Sequence, residues 1–347
     1  MSIENRSELD WERGLIELTH GSGGRATARL IAELFVPAFD NPLLAKQNDQ
    51  ALFEVPAGRM VISTDGYVVS PLFFPGGDIG ALAVHGTVND VAMAGAVPLY
   101  LSASFILEEG LPLAVLRRVV ESMAKASRDA GVPVVTGDTK VVERGKGDGV
   151  FISTTGVGLV PPRVVGPSAE RAKPGDVVIL SGTIGDHGVA ILSCRQGLAF
   201  ETAIKSDTMP LHRMVARMVE AAPDVHVLRD PTRGGLAATL NEIAGQSGVG
   251  MVIREDAIPV REQVSAACEL LGLDALHLAN EGKLVAICAR EDGERLLEAM
   301  NADALGKDAA IIGEVVADEH RFVQMETAFG GRRIVDWPSG EPLPRIC

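Results

Sequence analysis

The chain has 347 residues, of which 46% are hydrophobic and 22% charged, and its 46 acidic and 32 basic residues give a net charge of −14. A protein this acidic repels nucleic acid and anionic membranes unless it carries a basic patch, and the sequence shows none. The first residues lack the apolar core of a signal peptide, and no charge-free run is apolar enough for a membrane span. We therefore expect neither a nucleic acid nor a membrane partner.

A glycine-rich turn comes first along the chain. It consists of Gly21, Ser22, Gly23 and Gly24 and precedes a helix predicted over residues 26–34. Several main-chain N–H groups in such a turn can bind a phosphate. The spacing is not that of a P-loop, so an ordinary surface loop remains an equal alternative.

Two aspartates flank the first predicted strands. Asp49 precedes a strand-like run at 51–55, and a buried strand predicted over 60–64 ends at Asp65 and Gly66. Strand ends often carry ligand-binding groups in α/β proteins. Asp-Gly is also a common turn, so both interpretations of Asp65 stay open.

The next segment predicts a buried helix that contains one carboxylate. Asp78 can cap a helix beginning at Ile79, and Asp90 is the only formally charged residue from there to Leu107. An unpaired buried carboxylate is strongly destabilising, so Asp90 needs a hard cation or a set of hydrogen-bond donors.

A further strand, predicted over 132–136, ends at Gly137, Asp138, Thr139 and Lys140. Lys140 can hold phosphate or act as a base, and a solvated ion pair is the alternative. Proline-punctuated residues 161–175 then predict a domain boundary, which gives domains at 1–165 and 166–336 and a tail at 337–347. Alternating helices and strands in both halves predict an α/β (α+β) fold with two mixed-sheet sandwich domains.

Two motifs of the second half carry acidic residues. Asp230 precedes Pro231, Thr232 and Arg233 at the start of a predicted helix, so it is either a helix cap or an oxygen ligand. Glu281 stands in a predicted turn before a strand, where it can be a general base or a surface residue.

Four cysteines are too few for a disulfide scaffold. Cys194, Cys268 and Cys288 lie in apolar runs and are predicted to be buried, which leaves Cys347 accessible to solvent. Three prolines precede Cys347, and ten extended residues reach roughly 30 Å. The tail therefore carries a thiol over a long distance or is a frayed end, and a free thiol is typical of the reducing cytoplasm.

Four of these motifs resemble the ATP-binding motifs of the aminoimidazole ribonucleotide synthetase (PurM-like) superfamily: residues 63–66, 88–95, 137–140 and 230–236. The glycine-rich turn and the ending Pro344-Arg345-Ile346-Cys347 resemble one branch, the carbamoyl dehydratases of hydrogenase maturation. The resemblance runs from about residue 20 to residue 347.

The resemblance implies a homodimer in which the N-terminal sheets form a β-barrel. It implies magnesium held by Asp49, Asp65, Asp90 and Asp230, with catalytic roles for Cys347, Lys140 and Glu281. The implied ATP-binding residues are Gly21, Ser22, Gly23, Gly24, Asp65, Asn89, Asp138, Thr139 and Arg233.

The resemblance also implies the chemistry. A HypF-type carbamoyltransferase loads a carbamoyl group onto Cys347, ATP-dependent dehydration converts it to a thiocyanate, and a HypC–HypD-type complex receives the cyanide for a [NiFe]-hydrogenase. A selenophosphate synthetase is a rival, but it needs a reactive residue in the glycine-rich region, and no cysteine precedes Cys194. A scaffold that only presents the tail to partners is the non-enzymatic alternative.

Overall fold

The computed structural model describes residues 9–48, 50–197, 204–337 and 345–347. Asp49 and the three tail prolines between Trp337 and Arg345 lie outside the described residues. No helix within the described ranges is long and apolar enough to cross a membrane.

The first half of the chain builds a four-stranded mixed sheet covered by helices. Its helices and strands are α1 Arg25–Leu30, α2 Val36–Phe39, β1 Arg59–Tyr67, β2 Phe73–Phe74, β3 Gly77–Asp78, α3 Ile79–Met93, β4 Val97–Glu108, α4 Leu113–Ala130, β5 Val134–Val142 and β6 Val150–Val160. The sheet has the order β1-β6-β4-β5, in which only the β4–β5 pair is parallel. Strands β2 and β3 form a separate hairpin.

Helix α3 is buried, as its apolar sequence predicts, and it lies between the two halves. The Asp78 carboxylate caps it by accepting hydrogen bonds from the main-chain N–H groups of Gly80 (2.8 Å) and Ala81 (3.1 Å). The helix is buried along nearly its whole length and contacts β1, β6, α4 and α6 (His212–Ala221). It therefore holds Asp90 at the junction of the two halves.

The second half builds a seven-stranded sheet covered by helices. Besides α6, its helices and strands are β7 Val177–Leu180, α5 Asp186–Gln196, β8 Val227–Arg229, α7 Gly235–Ser247, β9 Gly250–Arg254, α8 Glu262–Leu271, β10 Val285–Cys288, α9 Arg290–Asn301, β11 Ala310–Val316, β12 Val323–Glu326 and β13 Arg332–Ile334. The sheet has the order β13-β12-β9-β11-β7-β10-β8. The mixed α/β architecture predicted for both halves is confirmed.

Three local predictions are wrong. Strand β1 is an edge strand with Met60 and Ile62 exposed, not a buried strand, because β6 is its only sheet neighbour among the described residues. Residues 51–55 are not a strand. Asp65 and Asp138 lie inside β1 and β5 and not at strand ends, because both strands run several residues further than the apolar pattern.

The cysteines also differ from expectation. Cys268 and Cys288 are buried as predicted, but Cys194 is exposed in the last turn of α5, and Cys347 is half-buried. An apolar run predicts that a helix is buried on average, but it does not predict which face of the last turn is exposed to solvent. Cys194 lies on that exposed face.

Candidate active site

Three predicted magnesium ligands line one cleft between the two halves, with a volume of about 570 Å³. Asp65 comes from β1, Asp90 from α3, and Asp230 directly follows β8. The other lining residues are mostly oxygen-bearing or cationic: Ser63, Thr64, Met93, Arg229, Thr232, Arg233, Thr239 and Glu242. Separate elements thus bring the three carboxylates to one place.

Local structure decides how two of these carboxylates are presented. The Ser63 hydroxyl donates a hydrogen bond of 2.9 Å to Oδ2 of Asp90. Asp230 is not the cap of α7, whose N-cap residue is Gly234 in the left-handed region with φ at +75°. The capping interpretation of Asp230 is therefore wrong, and its carboxylate faces the cleft.

Crowding and burial disfavour negative charge in this cleft. Burial, together with the nearby Asp65, raises the pKa of Asp90 to about 6, although the Ser63 hydrogen bond opposes the shift. Burial and the charge of Asp90 raise the pKa of Asp230 to about 7. Both groups hold protons at a pH where ordinary aspartates are ionised.

These carboxylates fit a hard divalent cation by donor type and charge. Magnesium binds oxygen ligands, and a dication would offset the burial and the mutual repulsion that raise both pKa values. No group of three or more His, Cys, Asp and Glu side chains in the described ranges is already arranged around a metal-sized space. The fourth predicted ligand, Asp49, lies outside those ranges.

Glu281 is a buried acid with an unused oxygen. It is 4% exposed, and its Oε1 has no hydrogen-bond partner among the described residues. Burial raises its pKa well above the usual value, and the charges of Asp207, Asp230, Asp65 and Asp90 add to the effect. Glu281 is therefore not the surface residue of the turn alternative. A buried carboxyl with a free acceptor can take a proton from a group placed beside it.

Two residues that the sequence analysis missed hold Glu281 in place. Oδ1 of Asp207 accepts the main-chain N–H of Glu281 at 3.0 Å, and its Oδ2 accepts from Nζ of Lys283 at 3.1 Å. Gly282 lies so close that a Cβ there would be 1.8 Å from the Asp207 carbonyl oxygen, so only glycine fits. Lys283 is only two residues from Glu281 in sequence, but Asp207 is 74 residues away and gave no signal.

Two asparagines connect the Glu281 loop to the rest of the site. Nδ2 of Asn280 donates to the Pro231 carbonyl at 2.9 Å, which links this loop to the turn that carries Asp230. Nδ2 of Asn89 donates to the carbonyls of Met209 and Glu281, and its Oδ1 accepts the N–H of Leu211 at 2.7 Å. The Asn89 amide thus joins main-chain segments, and its predicted contact with ATP stays a prediction.

Cys347 lies at this site and not in solvent. Its side chain packs against the N-terminal core, and its main-chain oxygen accepts the N–H of Val68 at 2.9 Å. Burial raises the pKa of its thiol far above the usual value, with a further contribution from Glu281 that Arg233 partly offsets. The described end of the tail is therefore docked beside the end of β1, where the charges of Glu281 and of the cleft acids Asp65 and Asp230 act on its thiol.

Lys140 and Asp138 lie elsewhere. Nζ of Lys140 contacts both carboxylate oxygens of Asp138, at 2.6 and 2.5 Å, and each side chain is 60% exposed. The hydrogen bond from Lys140 lowers the pKa of Asp138, although burial slightly opposes the shift. This is the exposed ion pair of the alternative interpretation, on edge strand β5.

The register shows how far apart the two clusters are. Asp65 on β1 is opposite Thr154, Thr154 is opposite Ala103, and Ala103 is opposite Gly137 on β5. Three strand spacings separate the ends of this row, or about 14 Å. Because side chains alternate between faces, Asp138 points away from the face that carries Asp65.

The glycine-rich turn lies beside β5, on the side of the second cluster. A Cβ on Gly21 would be 2.5 Å from the Val141 nitrogen, so the turn packs directly on the strand. The Ser22 hydroxyl donates to the Thr19 carbonyl at 3.1 Å, and the Gly23 N–H donates to Oγ1 of Thr27 at 3.0 Å. The turn bonds within itself here, and its phosphate-binding role stays a prediction, as it does for Gly24.

An apolar pocket of about 120 Å³ lies next to this turn. Phe35, Phe39 and Phe105 line it together with Asp138 and Thr139. One subunit thus carries two separate groups of predicted residues, an acidic cleft with Cys347 and a second cluster around β5.

Comparisons with known proteins agree with this architecture. Residues 47–160 match the N-terminal domain and residues 173–326 the C-terminal domain of AIR synthase related proteins. The carbamoyl dehydratase HypE of Azotobacter vinelandii is 68% identical over 98% of this chain and 100% of its own length.

Two solved structures are also similar. A crystal structure of hydrogenase maturation protein HypE in complex with ATP superposes with a TM-score of 0.92 at 53% identity, covering 95% of this chain and 99% of that one. A HypE–HypF complex matches with a TM-score of 0.79 at 50% identity, covering 89% of this chain and 99% of that one. The chain therefore belongs to the HypE family of AIR synthase related proteins.

Proposed function

We propose that this chain is an ATP-dependent carbamoyl dehydratase that works on a carbamoyl group carried by its own Cys347. The carbamoyl oxygen takes the γ-phosphoryl group of ATP, and loss of phosphate and the N–H protons leaves a thiocyanate on sulfur. The products besides the thiocyanate are ADP, phosphate and one proton. The thiocyanate supplies the cyanide ligand for a [NiFe]-hydrogenase.

One observation carries the proposal: in a member of the HypE family, the end of the tail is docked through its main chain between Val68 and His187, where the charges of Glu281 and of the cleft acids act on the Cys347 thiol. A relative binds ATP, as its crystal structure with the nucleotide shows. One subunit thus brings together the carrier cysteine, an acid–base residue and a cleft suited to a magnesium-bound nucleotide. Neither a selenophosphate synthetase nor a passive scaffold needs a thiol at that position.

The docked position suits the loaded cysteine better than the free one. Acidic neighbours and burial disfavour a thiolate, whereas an S-carbamoyl group is neutral. Loading needs the thiolate, so we expect it to happen with the tail released toward a HypF-type carbamoyltransferase. The HypE–HypF complex of a relative supports that partner.

The cleft residues would hold the nucleotide through magnesium. Asp65, Asp90 and Asp230 supply oxygen ligands, and Arg233 supplies positive charge for the phosphates. Bound magnesium would neutralise charge on the transferring phosphoryl group. Because the cleft is crowded with carboxylates, a triphosphate without a cation would be repelled.

Glu281 is the base that one subunit can supply. Its raised pKa makes the ionised form strongly basic, and its free Oε1 can accept the nitrogen-bound proton of the substrate. Lys140 is paired with Asp138 on the far edge of the sheet. We assign Lys140 to the site of a second subunit.

The outer face of the N-terminal sheet supports a homodimer. Met60, Ile62, Val97 and Ile106 are exposed on β1 and β4, and apolar clusters of this kind mark interfaces. Pairing two such faces would form the predicted barrel and place Lys140 of one subunit on the shared side. We also infer a HypC–HypD-type complex that accepts the cyanide from the thiocyanate. A cytoplasmic setting follows because Cys347 must be a reduced thiol before each loading step.

The reaction predicts a defined mass change. Protein that carries a carbamoyl group on Cys347 should lose about 18 mass units, the mass of one water, when ATP and magnesium are added. The reason is that phosphorylation turns the carbamoyl oxygen from a poor leaving group into a good one. Intact-mass spectrometry measures it. Glu281→Gln should load normally but dehydrate at least a hundredfold more slowly, on the order of a lost general base.

Glu294→Gln on α9 is the matched control, since Glu294 is an exposed glutamate away from the cleft. It should lose water at the wild-type rate. An unchanged mass in the wild-type protein under these conditions would leave only the scaffold interpretation.

The cleft predicts pH-dependent magnesium binding. The raised pKa values of Asp90 and Asp230, about 6 and about 7, mean that protons occupy the ligands below those values. Affinity for magnesium in the presence of a non-hydrolysable ATP analogue should therefore rise by roughly tenfold or more from about pH 5.5 to about pH 7.5, with proton release. Calorimetry in buffers of different ionisation enthalpy checks both. Equal affinity at the two pH values, or unchanged binding in Asp90→Asn, would rule out this ligand set.

The dimer proposal predicts that Ile62→Glu yields monomers, because it places a charge in an apolar interface. Leu270→Glu on α8 is the control, as the two side chains are equally exposed in one subunit, at 72% and 71%. Multi-angle light scattering gives the mass in solution. Persistence of the dimer in Ile62→Glu would exclude this face.

A further inference from the structure

A buried histidine touches the docked tail. His187 in the first turn of α5 is fully buried, and its Nε2 lies 2.8 Å from the carbonyl oxygen of Ile346. Its Nδ1 lies 2.8 Å from Oγ of Ser206, and Phe74 packs edge-on against the ring at 5.6 Å between centroids. Both polar atoms of the ring are therefore occupied, one of them by the residue next to Cys347.

These partners determine where the ring carries its proton. A carbonyl oxygen only accepts, so Nε2 must donate to Ile346. Burial lowers the pKa of His187 and favours the neutral ring, in which Nδ1 is then an acceptor. The Ser206 hydroxyl, which can donate, supplies that hydrogen bond and selects the tautomer.

The described tail is held from both halves. The N–H groups of Val68 and Ser70, on the side of the N-terminal domain, donate to the carbonyls of Cys347 and Arg345 at 2.9 and 3.3 Å. On the other side, α5 of the second half contributes two contacts: His187 bonds the Ile346 carbonyl, and Nη2 of Arg195 donates to the Arg345 carbonyl. Of these two contacts, the one from His187 is fully buried and lies next to Cys347.

The same histidine connects the tail to the segment that holds Glu281. Ser206, its second partner, is adjacent to Asp207, whose carboxylate binds the main chain of Glu281 and the Lys283 ammonium. Ser206 is itself fixed, because its N–H donates to the Pro75 carbonyl at 2.8 Å. A short path of contacts therefore runs from the residue beside the carrier sulfur to the residue that positions the base.

We propose that His187 is a positioning residue that latches the tail inward, so that the group on Cys347 is held at Glu281 during dehydration. The proposal rests on the proposed function only for the identity of that group. The latch itself acts on the main chain of the tail, whatever the sulfur carries. Loading by a HypF-type partner needs the released tail and should not require the latch.

Thiol accessibility tests the latch without ATP or a carbamoyl group. In His187→Phe, which keeps a ring but lacks the donor, neutral iodoacetamide should alkylate Cys347 about five- to tenfold faster, the effect of one lost buried hydrogen bond. Exposed Cys194 in the same chain is the internal control and should react at an unchanged rate. Peptide mass mapping separates the two sites.

Rescue distinguishes a latch from a general packing role. His187→Gln places an amide N–H where Nε2 stands and should restore most of the wild-type alkylation rate. In a single turnover of carbamoylated protein, His187→Phe should dehydrate about tenfold more slowly, whereas carbamoyl loading stays at the wild-type rate and the Gln variant recovers. A packing defect would affect the Phe and Gln variants alike and would change both steps.

Ser206→Ala is the second variant if His187→Phe does not fold. It removes the hydroxyl that selects the tautomer, so Cys347 alkylation should again rise several-fold. Wild-type Cys347 reactivity in a folded His187→Phe or Ser206→Ala protein would overturn the latch, even where dehydration proceeds. Absence of dehydration in the wild-type protein would overturn the proposed function, and the alkylation rates would still decide the latch.

Discussion

A half-buried thiol exposed to the charge of several acids is the constraint on which the rest of the site depends. The docked position of Cys347 places its thiol in the field of Glu281, Asp65 and Asp230, with Arg233 as the offsetting charge. Such surroundings oppose a thiolate and tolerate a neutral carbamoyl thioester. The same pocket therefore admits the loaded carrier and disfavours the reactive empty one, so that loading and dehydration are separated by where the tail lies.

The acids also need a framework that keeps them together. Unpaired carboxylates that share one cleft would either move apart or take up protons. Hydrogen bonds to the main chain prevent them from moving apart. Asn280 bonds to the turn of Asp230, Asn89 joins α3 to the Glu281 carbonyl, and Asp207 holds the Glu281 N–H. Protonation is the outcome that remains: burial first, and then the charge of the neighbouring acids, raise the pKa values of Asp90, Asp230 and Glu281.

Much of this arrangement could be predicted from the sequence. The apolar helix around Asp90 and its cap at Asp78 follow from local pattern. The motif resemblance named the cleft acids and Cys347 as candidate site residues. Sequence did not show that β1 and β5 are the two edges of one sheet, because strand order is a long-range property. The distance between Asp65 and the Asp138–Lys140 pair therefore appeared only in the structure. Asp207 and His187 gave no signal, because their partners lie 74 and 159 residues away in the chain.

The pH at which Cys347 loses its proton tests this account most directly. The alkylation rate of Cys347, followed by peptide mass mapping across the alkaline range in the absence of nucleotide, gives the pKa of its thiol, and N-acetylcysteine in the same series gives that of a free cysteine thiol. We expect Cys347 to ionise at a clearly higher pH than the free thiol, and Glu281→Gln to reduce the difference. Ionisation of Cys347 at or below the pH of the free thiol would contradict a carrier docked among acids.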